Sequence, residues 1–371
     1  MEMPNKGYNI TLNRALSADK RESTRLKGLI LAGGFATRLR PLSCSKPKLL
    51  FPLVGIPLVD RMAIWFARGG VTEVILAVNH LSDKLRVEVS RKKLDTKTVL
   101  SVEETPLGTG GPVSLARPML NKDDPLIVAN GDVISDIDLR GLITSHVRSG
   151  AEATIALVSA DDPRPFGLAT LDANDRIIGF EEKSETIQSP GWINAGVYAL
   201  NPKVIAMIPH GRPVSLEREI FPTLASQGKM RSWKHMGLWY DIGKIPDYVI
   251  ANRQLLQRAE FRETANAETG MLANIRQPSY VGRNSTIEDG AKLGPYTILS
   301  ERVSVKRGAE ASKTIVFEQT SLGENCTVED SLIGEGVTVG KEARIEKGSI
   351  IAGQVVIPDR AVIRPGSMIL N

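Results

Sequence analysis

The spacing of apolar residues divides the chain into two parts that follow different periods. In the first 250 residues, short apolar runs alternate with helical patterns, and the candidate strands are GLILA (28–32), EVILAV (73–78), PLIVAN (125–130) and ATIALV (153–158). Between the first two, the segment 57–70 has apolar residues at helical spacing, with Pro57 suited to the first turn and Gly69 to the position beyond the last. This alternation predicts an α/β domain with a mostly parallel sheet covered by helices.

From about residue 280 onwards the apolar period changes to six. Val316, Leu322 and Val328 connect two longer sets, with one five-residue step on each side. The two sets are Val281, Ile287, Leu293, Leu299 and Val305, and Ile333, Val339, Ile345, Ile351, Ile357 and Ile363. An α-helix cannot keep a period of six on one face, whereas a coil of short parallel strands can, with one apolar residue per side pointing inward. The pattern resembles the hexapeptide repeat of left-handed parallel β-helices.

The boundary between the two parts is marked by a helical pattern at 245–261 and a polar segment up to about residue 277. We therefore expect a Rossmann-like first domain at 26–262 and a left-handed β-helix at 278–371. Residues 1–25 are polar and aperiodic, which predicts a flexible N-terminal arm.

The composition indicates which ligands the protein binds and where in the cell we expect it. The formal net charge is +5, the cations form no long runs and only 5% of residues are aromatic, so nucleic-acid binding is poorly supported. The chain has no apolar run of membrane-spanning length and no secretory signal pattern, so we expect no membrane association and a cytoplasmic location. Cys44 and Cys326 lie in different segments and do not suggest a disulfide framework. A small phosphorylated ligand would explain a local excess of cations.

A glycine turn followed by cations is the first candidate site. Gly33 and Gly34 follow the first strand, and Arg38 and Lys48 come soon after. Glycines free backbone N–H groups to face an anion, and the two cations could bracket a polyphosphate. The stretch contains no Walker-type loop. For the glycines alone, the alternative is a tight turn that only packs strand on helix.

With the residues that follow, this turn resembles the signature of the sugar-1-phosphate nucleotidylyltransferases, L-A-G-G-x-G-T-R-L-x-P-L…K-P-K-x-L. The chain reads LAGGFATRLRPLSCSKPKLL over 31–50, and it departs at Ala36, where the family has glycine. Further blocks that resemble the family follow in order: EETPLGTGGPVSLA (103–116), IVANGDVI (127–134), FGLATLD…IIGFEEKSE (166–185), WINAGVYALNP (192–202), SLEREIFPTLA (215–225) and GLWYDIGKIPDYVIANRQLL (237–256). The L-G-T-G-G loop with a hexapeptide tail resembles the mannose-1-phosphate guanylyltransferases most closely, with heptose-phosphate and glucose-phosphate enzymes as near alternatives.

The resemblance implies a reaction and a set of site residues. A nucleoside monophosphate would pass from a nucleoside triphosphate to a sugar-1-phosphate, with GTP and mannose-1-phosphate expected first and other nucleotides or heptose, glucose or cyclitol phosphates as alternatives. The implied nucleotide-binding residues are Leu31, Ala32, Gly33, Gly34, Gly108, Thr109 and Gly131. Those implied for the sugar phosphate are Gly167, Glu182, Lys183 and Asn194. The implied catalytic cations are Arg38, Lys48 and Lys183, and the implied Mg²⁺ ligands are Asp132 and Asp241.

The chemistry of this reaction suits these residue types, although each has a plainer explanation. A phosphate oxygen is already a nucleophile, so the site needs alignment and charge neutralisation rather than an activated Ser, Cys or His. Mg²⁺ takes one or two carboxylates, and phosphates and water complete its shell. Alternatively, Asp132 could cap a turn, Asp241 could cap the helix that follows it, and the cations could be solvated surface side chains.

The tail and two departures from the signature leave other functions open. The histidines lie at 80, 146, 210 and 235, outside the repeats, so a histidine-dependent acyltransferase is not expected. We expect the β-helix to support regulation or assembly into a homo-oligomer, a dimer or higher. A rival function is a non-catalytic subunit that senses a nucleotide sugar. The hints for this function are Ala36, where the family has glycine, and Ser184, where the family usually has proline. The retained cations and carboxylates favour an active enzyme over a sensor.

Overall fold

A computed structural model describes residues 26–79, 82–91, 94, 96–182, 190–258 and 267–370 of the chain. The expected N-terminal arm at 1–25 lies outside the described residues, as do Lys183 and Ser184. The described parts form two units, an α/β domain and a stack of short parallel strands. Within these ranges, no helix is long and apolar enough to cross a membrane.

The α/β domain contains strands, α-helices and short 3₁₀ turns. The strands are β1 (Lys27–Leu31), β2 (Pro52–Leu53), β3 (Ile56–Pro57), β4 (Glu73–Val78), β5 (Lys97–Val102), β6 (Leu126–Asn130), β7 (Val133–Ser135), β8 (Ala153–Ala160), β9 (Gly167–Leu171), β10 (Ile177–Glu182), β11 (Gly191–Leu200), β12 (Met230–His235) and β13 (Trp239–Asp241). The helices are α1 (Leu58–Arg68), α2 (Ser82–Arg91), α3 (Gly111–Leu115), α4 (Leu139–Ser149), α5 (Pro202–Met207), α6 (Phe221–Ser226, preceded by a π-helical turn at Leu216–Ile220) and α7 (Ile245–Gln257). The 3₁₀ turns are Thr37–Leu39, Leu42–Cys44, Lys48–Leu50 and Arg117–Met119.

The main sheet is mixed, and it is parallel where helices alternate with strands. Strands β6, β1, β4 and β5 lie side by side and parallel, as predicted for the first three candidate strands. Strand β8 differs, because it pairs antiparallel with β11, which also runs antiparallel to β6 and β9. Strands β9 and β10 also pair antiparallel, and within the described residues the link between them contains turns and no helix. Links this short favour antiparallel pairing, whereas a parallel pair needs a long crossover.

Helix α1 follows the pattern predicted for 57–70. It begins directly after Pro57 and ends at Arg68, and Gly69 is the capping residue beyond its last turn. Its buried face packs on β1, where an added Cβ at Gly28 would lie 2.3 Å from the ring of Phe66. The glycine therefore allows the helix to approach the strand closely, which fixes the strand that leads into the glycine turn.

The second unit stacks its strands in three parallel sheets of six. The strands are β14 (Glu268–Thr269), β15 (Asn274–Ile275), β16 (Ser279–Val281), β17 (Thr286–Ile287), β18 (Lys292–Leu293), β19 (Thr297–Leu299), β20 (Ser304–Val305), β21 (Glu310–Ser312), β22 (Ile315–Val316), β23 (Ser321–Leu322), β24 (Thr327–Glu329), β25 (Leu332–Ile333), β26 (Thr338–Val339), β27 (Arg344–Ile345), β28 (Ile350–Ile351), β29 (Val356–Ile357), β30 (Val362–Ile363) and β31 (Met368–Ile369). Each strand pairs with the strand three places further along the chain, so three strands make one coil. This arrangement is consistent with the predicted left-handed β-helix.

The period of six corresponds to the inner wall of this β-helix. All of the predicted inward residues from Val281 to Ile357 are buried, and Ile363 in the last coil is partly buried. Ala311 supplies the buried position between Val305 and Val316, where the sequence pattern has a gap. Alanine is small, so it did not stand out as an apolar position.

The first coil of the β-helix begins at β14, ahead of the expected residue 278. Thr269 of β14 pairs with the inward-facing Ile287 of the next coil. A threonine at this position interrupts the apolar pattern, which is why the coil is not visible in the sequence. Helix α7 starts at the predicted residue 245, and its last helical residue is Gln257.

One side of the β-helix packs against the α/β domain and shares its hydrophobic core. The ring of Phe317 lies 5.4 Å from the ring of Phe51 and 6.4 Å from that of Tyr248. The outer residues of this side join the same buried cluster, and they are Tyr280, Ile298, Ile315, Leu332 and Ile350. The β-helix is therefore continuous with the core that supports the glycine turn.

Candidate active site

The glycine turn lies where the carboxyl ends of the parallel strands meet. The backbone N–H of Ala32, directly after β1, donates to the carbonyl of Ala77 near the end of β4, over 2.8 Å. The N–H of Gly131, directly after β6, donates to the carbonyl of Leu31, also over 2.8 Å. Open α/β sheets bind their ligands at this edge. The structure thus brings together the turn residues that the sequence predicted for the nucleotide.

Glu103, which the sequence analysis did not single out, stands behind this turn. An added Cβ at Gly33 would lie only 2.5 Å from Glu103 Oε1, so the glycine lets the carboxyl group approach the turn. Glu103 Oε2 accepts the backbone N–H of Leu107 over 3.0 Å. Oε1 is buried, and no described residue hydrogen-bonds to it. Burial raises the pKa of this carboxyl group. An unpaired buried acceptor of this kind is suited to a ligand that carries N–H donors.

The loop after Glu103 needs its glycine and uses its threonine internally. Gly108 has φ +74°, and an added Cβ would lie 2.4 Å from the carbonyl oxygen of Val214. The hydroxyl of Thr109 donates to Glu217 and accepts the N–H of Leu216 over 2.9 Å. The side chain of Thr109 is therefore occupied within the fold, and a contact from this residue to a nucleotide would come from its backbone.

A cation and a carboxylate meet directly beside the turn. Lys48 Nζ lies 2.7 Å from Asp132 Oδ2, and both side chains are largely buried. Strand β13 brings Asp241 next to Asp132, because Asp241 pairs with Val133 and the N–H of Ile242 donates to the carbonyl of Asp132 over 2.9 Å. The antiparallel pairing of two short strands thus joins residues that are distant in the sequence.

Arg38 completes this cluster. An added Cβ at Gly243 would lie 2.9 Å from both Arg38 Nη2 and Asp241 Oδ1, so the guanidinium and the carboxylate converge above this glycine. The N–H of Gly243 also donates to Asp241 Oδ1 over 2.7 Å. Four of the charged residues predicted for the site, Arg38, Lys48, Asp132 and Asp241, therefore lie together.

The two carboxyl groups have opposite pKa shifts. Burial opposes ionisation of Asp132, but the ammonium of Lys48 and, more weakly, the guanidinium of Arg38 outweigh it and hold its pKa below the usual range. Burial and the nearby charge of Asp132 raise the pKa of Asp241. A divalent cation between them would remove this repulsion, and hard carboxylate oxygens are the ligands Mg²⁺ prefers. No group of three or more acidic, histidine or cysteine side chains that could hold a metal occurs in the described ranges, so phosphates and water would complete the shell.

The residues predicted for the sugar phosphate lie on neighbouring strands. Glu182 pairs with Gly167, and an added Cβ at this glycine would lie 2.7 Å from Glu182 Oε2. Asn194 lies on β11 where the strand changes register. Its Oδ1 accepts the N–H of Gly196 over 2.8 Å, and its Nδ2 donates to the hydroxyl of Tyr198 over 2.9 Å. Asn194 therefore also shapes the bulge of β11, and Lys183 lies outside the described residues.

A buried polar network connects the sugar side to the loop that contains Thr109. The hydroxyl of Tyr198 donates to Glu217 Oε1 over 3.1 Å, and Glu217 Oε2 accepts from Ser215 over 2.9 Å and from Thr109. Sequence reasoning missed Glu217, because a glutamate in a helical turn usually faces solvent. Two of its partners, Thr109 and Tyr198, come from distant segments, so only the folded chain reveals that Glu217 is buried.

Ala36 adopts the left-handed backbone conformation, with φ 48° and ψ 39°. The side chain of alanine is disfavoured there by about 1–2 kcal/mol, and glycine is not. The conformation is held by neighbours, since the carbonyl of Ala36 accepts the hydroxyl of Ser43 over 2.7 Å and the N–H of Leu39 over 3.0 Å. The departure from the signature thus keeps the backbone shape that glycine would favour.

We expect Ala36→Gly to raise the free energy of unfolding by about 0.5–1 kcal/mol, because relief of strain exceeds the entropy gained by the unfolded chain. Urea denaturation measures the change. Ala32→Gly is the matched control, because Ala32 lies in the same turn and is not among the residues with positive φ. Its unfolding free energy should fall. A loss of stability in both variants would show that the backbone at Ala36 is not strained.

Comparisons with known proteins show which families the two units match. Residues 27–258 match the family described as Nucleotidyl transferase, and residues 275–371 match the one described as GMPPB C-terminal domain. The chain is 32% identical over 355 residues to a mannose-1-phosphate guanyltransferase of Aspergillus fumigatus, covering 93% of this chain and 96% of that protein. It is 34% identical over 357 residues to a probable mannose-1-phosphate guanylyltransferase 2 of Arabidopsis thaliana, covering 93% and 96%.

Solved structures resemble the first unit. The crystal structure of HddC from Yersinia pseudotuberculosis is similar over 62% of this chain and 99% of that chain, with a TM-score of 0.55 and 28% identity. A second structure of HddC, complexed with GMP-PN, has a TM-score of 0.53 at the same identity and coverage. The family match spans most of the α/β domain, and the two relatives cover nearly the whole chain. This chain belongs to the nucleotidyl transferase family.

Proposed function

We propose that the protein forms GDP-mannose from GTP and mannose-1-phosphate, with release of pyrophosphate and with Mg²⁺ as cofactor. The observation that carries the proposal is the cluster of Arg38, Lys48, Asp132 and Asp241 beside the glycine turn. The names of the relatives from Aspergillus fumigatus and Arabidopsis thaliana support the choice of sugar and base.

The residues of the cluster have different roles in the proposed nucleotidyl transfer. The sugar phosphate attacks the α-phosphorus of the nucleotide, and negative charge develops on the leaving pyrophosphate. Arg38 and Lys48 stabilise that charge, and the backbone of the glycine turn orients the phosphates. Asp132 and Asp241 would hold Mg²⁺, which supplies charge neutralisation at the phosphates when it is bound. Lys183 and Glu182 are proposed to bind the sugar phosphate, and backbone groups near Gly108 to bind the base.

Glu103 supports a guanine nucleotide. Guanine presents N–H donors at its N1 and its 2-amino group, whereas the corresponding edge of adenine presents an acceptor. An ionised carboxylate accepts hydrogen bonds and donates none. The unpaired Oε1 of Glu103 therefore complements guanine and opposes adenine.

We expect Glu103→Gln to lower kcat/KM for GTP by about 10²-fold, because the amide places a donor against the guanine donors. The same variant should be more stable near neutral pH. Burial raises the pKa of Glu103, so wild-type stability falls as the pH rises from the ordinary carboxyl pKa through the raised one, and glutamine removes that fall. Kinetics with several nucleotides and urea denaturation against pH measure both effects.

The neighbouring Glu104→Gln is the control, since Glu104 is exposed. Unchanged nucleotide preference in Glu103→Gln would remove Glu103 from base recognition.

Pyrophosphate release in a matrix of nucleoside triphosphates and sugar-1-phosphates, with Mg²⁺, tests the proposed function. We expect turnover with GTP and mannose-1-phosphate above all other pairs. Turnover with another pair would change the substrate and keep the reaction. If folded protein releases no pyrophosphate with any pair but still binds a nucleotide sugar, the result would favour a non-catalytic subunit that senses nucleotide sugars. Mg²⁺ dependence is tested by adding a chelator to the active pair.

Assembly into a homo-oligomer and a cytoplasmic location stay predictions. The last coil leaves apolar side chains exposed at its outer surface, among them Val356, Val362 and Met368. This exposed apolar surface lies at the end of the strand stack, where a second subunit could bind.

A further inference from the structure

Lys46 is a buried cation that the proposed chemistry does not use. The residue is only 5% exposed. Its Nζ pairs with the carboxylates of Glu318 and, over 3.0 Å, Glu335. Both glutamates belong to the β-helix, where they follow β22 and β25. Lys46 belongs to the α/β domain and lies two residues before Lys48. A single ion cluster therefore joins the β-helix to the segment that carries the active-site lysine.

This segment has little regular structure of its own. Between Arg38 and Lys48 the chain forms only short 3₁₀ turns, so contacts with other parts of the molecule must fix its shape. Pro47 links Lys46 rigidly to Lys48, with φ −56° and ψ 141°. A displacement of Lys46 would therefore be passed directly to Lys48.

Further contacts from the β-helix reach the same segment. An added Cβ at Gly353 would lie 3.0 Å from Ser45 Oγ, so the backbone of the β-helix passes directly beside Ser45. On the other side of Lys46, Phe51 packs edge-on against Phe317. The β-helix thus contacts the chain at Ser45, Lys46 and Phe51, on both sides of Lys48.

The charges make this arrangement dependent on Lys46. Two carboxylates of the β-helix face the one ammonium of Lys46, so removal of the ammonium would end the attraction between the β-helix and the segment at this point. The segment would then be free to shift relative to the β-helix. Catalysis that relies on alignment is sensitive to such shifts, and a misplacement of about 1 Å can cost about 10²-fold in rate.

We propose that the β-helix is part of the catalytic apparatus, with Glu318 and Glu335 acting through Lys46 as positioning residues for Lys48. The proposal rests on the proposed function, since it assigns Lys48 to the leaving pyrophosphate. It gives the β-helix a role within one chain, separate from any role in assembly.

The test compares two ion pairs that cross the same boundary. Lys46→Met should lower kcat by about 10²-fold and change the KM for the sugar phosphate little. The matched control is Arg253→Met, because Arg253 pairs with Asp330 of the β-helix but lies on α7, away from the segment. Its kcat should stay within about twofold of wild type, since its pair supports only the boundary.

A double variant separates positioning from a general loss of structure. If Lys46 acts through Lys48, Lys46→Met should cost nothing further in kcat when it is added to Lys48→Met. Glu335→Gln provides a milder change that leaves the pair with Glu318 intact, and it should give a several-fold loss even if Lys46→Met fails to fold. Wild-type kcat in Lys46→Met or Glu335→Gln, additive losses in the double variant, or an equal loss in Arg253→Met would overturn the proposal.

Pyrophosphate binding by calorimetry, with Mg²⁺ present, distinguishes failure of this inference from failure of the proposed reaction. If the wild type binds pyrophosphate but turns over no substrate pair, the reaction is wrong. Weaker pyrophosphate binding in Lys46→Met than in Arg253→Met would then still support positioning of Lys48 by the β-helix. Equal binding in the two variants would contradict it.

Discussion

Asp132→Asn is expected to lower turnover by about 10³-fold or more while the protein remains folded, because the change removes one of two negative charges that would hold Mg²⁺. The substitution preserves shape, so it tests charge rather than packing. The contact with Lys48 weakens, since an amide replaces the carboxylate that lies 2.7 Å from Nζ. Pyrophosphate release gives the rate, and urea denaturation gives the stability.

The stability of Asp132→Asn should change little, because two effects oppose each other. The variant loses an ionic contact with Lys48, but it also removes the charge that raises the pKa of Asp241. Asp175→Asn is the control, since Asp175 forms a comparable 2.6 Å pair with Lys234 outside the charged cluster. Its turnover should match the wild type. Wild-type-like activity in Asp132→Asn would remove Asp132 from the metal site.

Lys48→Met is expected to lower kcat by about 10³-fold and to leave the KM for the sugar phosphate nearly unchanged. The cation is held by Asp132 at the point where the leaving pyrophosphate would gain charge, so its effect should be greatest in the transition state. Steady-state and single-turnover kinetics separate binding from chemistry. A rise in KM alone would mean that Lys48 binds substrate and transition state equally.

A matched lysine controls for the loss of an ion pair as such. Lys306→Met removes a cation that pairs with Glu288 over 3.0 Å on the surface of the β-helix. Exposed pairs of this kind contribute about 0–1 kcal/mol to stability, and this one should leave turnover unchanged. The double variant Lys48→Met with Asp132→Asn should be no slower than the slower single variant if the two residues act as one unit.

The sequence predicts those features whose signal is local. The buried positions of the β-helix appear as a period of six, and helix α1 appears between its proline and its glycine. The charged cluster was also predictable, because Arg38, Lys48, Asp132 and Asp241 each lie in a short signature block.

Residues whose role depends on distant partners were not predictable in this way. Lys46 meets Glu318 across 272 positions of sequence, and Glu217 accepts hydrogen bonds from Thr109 and Tyr198, which lie in two other segments. A buried glutamate or lysine has the same letter as an exposed one, and only the partners brought by the fold distinguish the two. For Ala36 the sequence shows only that alanine stands where the signature has glycine, and the structure adds that its φ is positive.

The continuous core between the β-helix and the α/β domain bears on how such a chain can be divided. Phe51 and Tyr248 on one side and Phe317 on the other bury one another, so a cut near residue 260 would expose apolar surface on both products. The two units are thus separate in topology, but each needs the other to bury its apolar surface. Exchange of the tail with that of a relative would keep the two units packed only if the aromatic contact were transferred, and would keep Lys46 in place only if the glutamates opposite it were transferred as well.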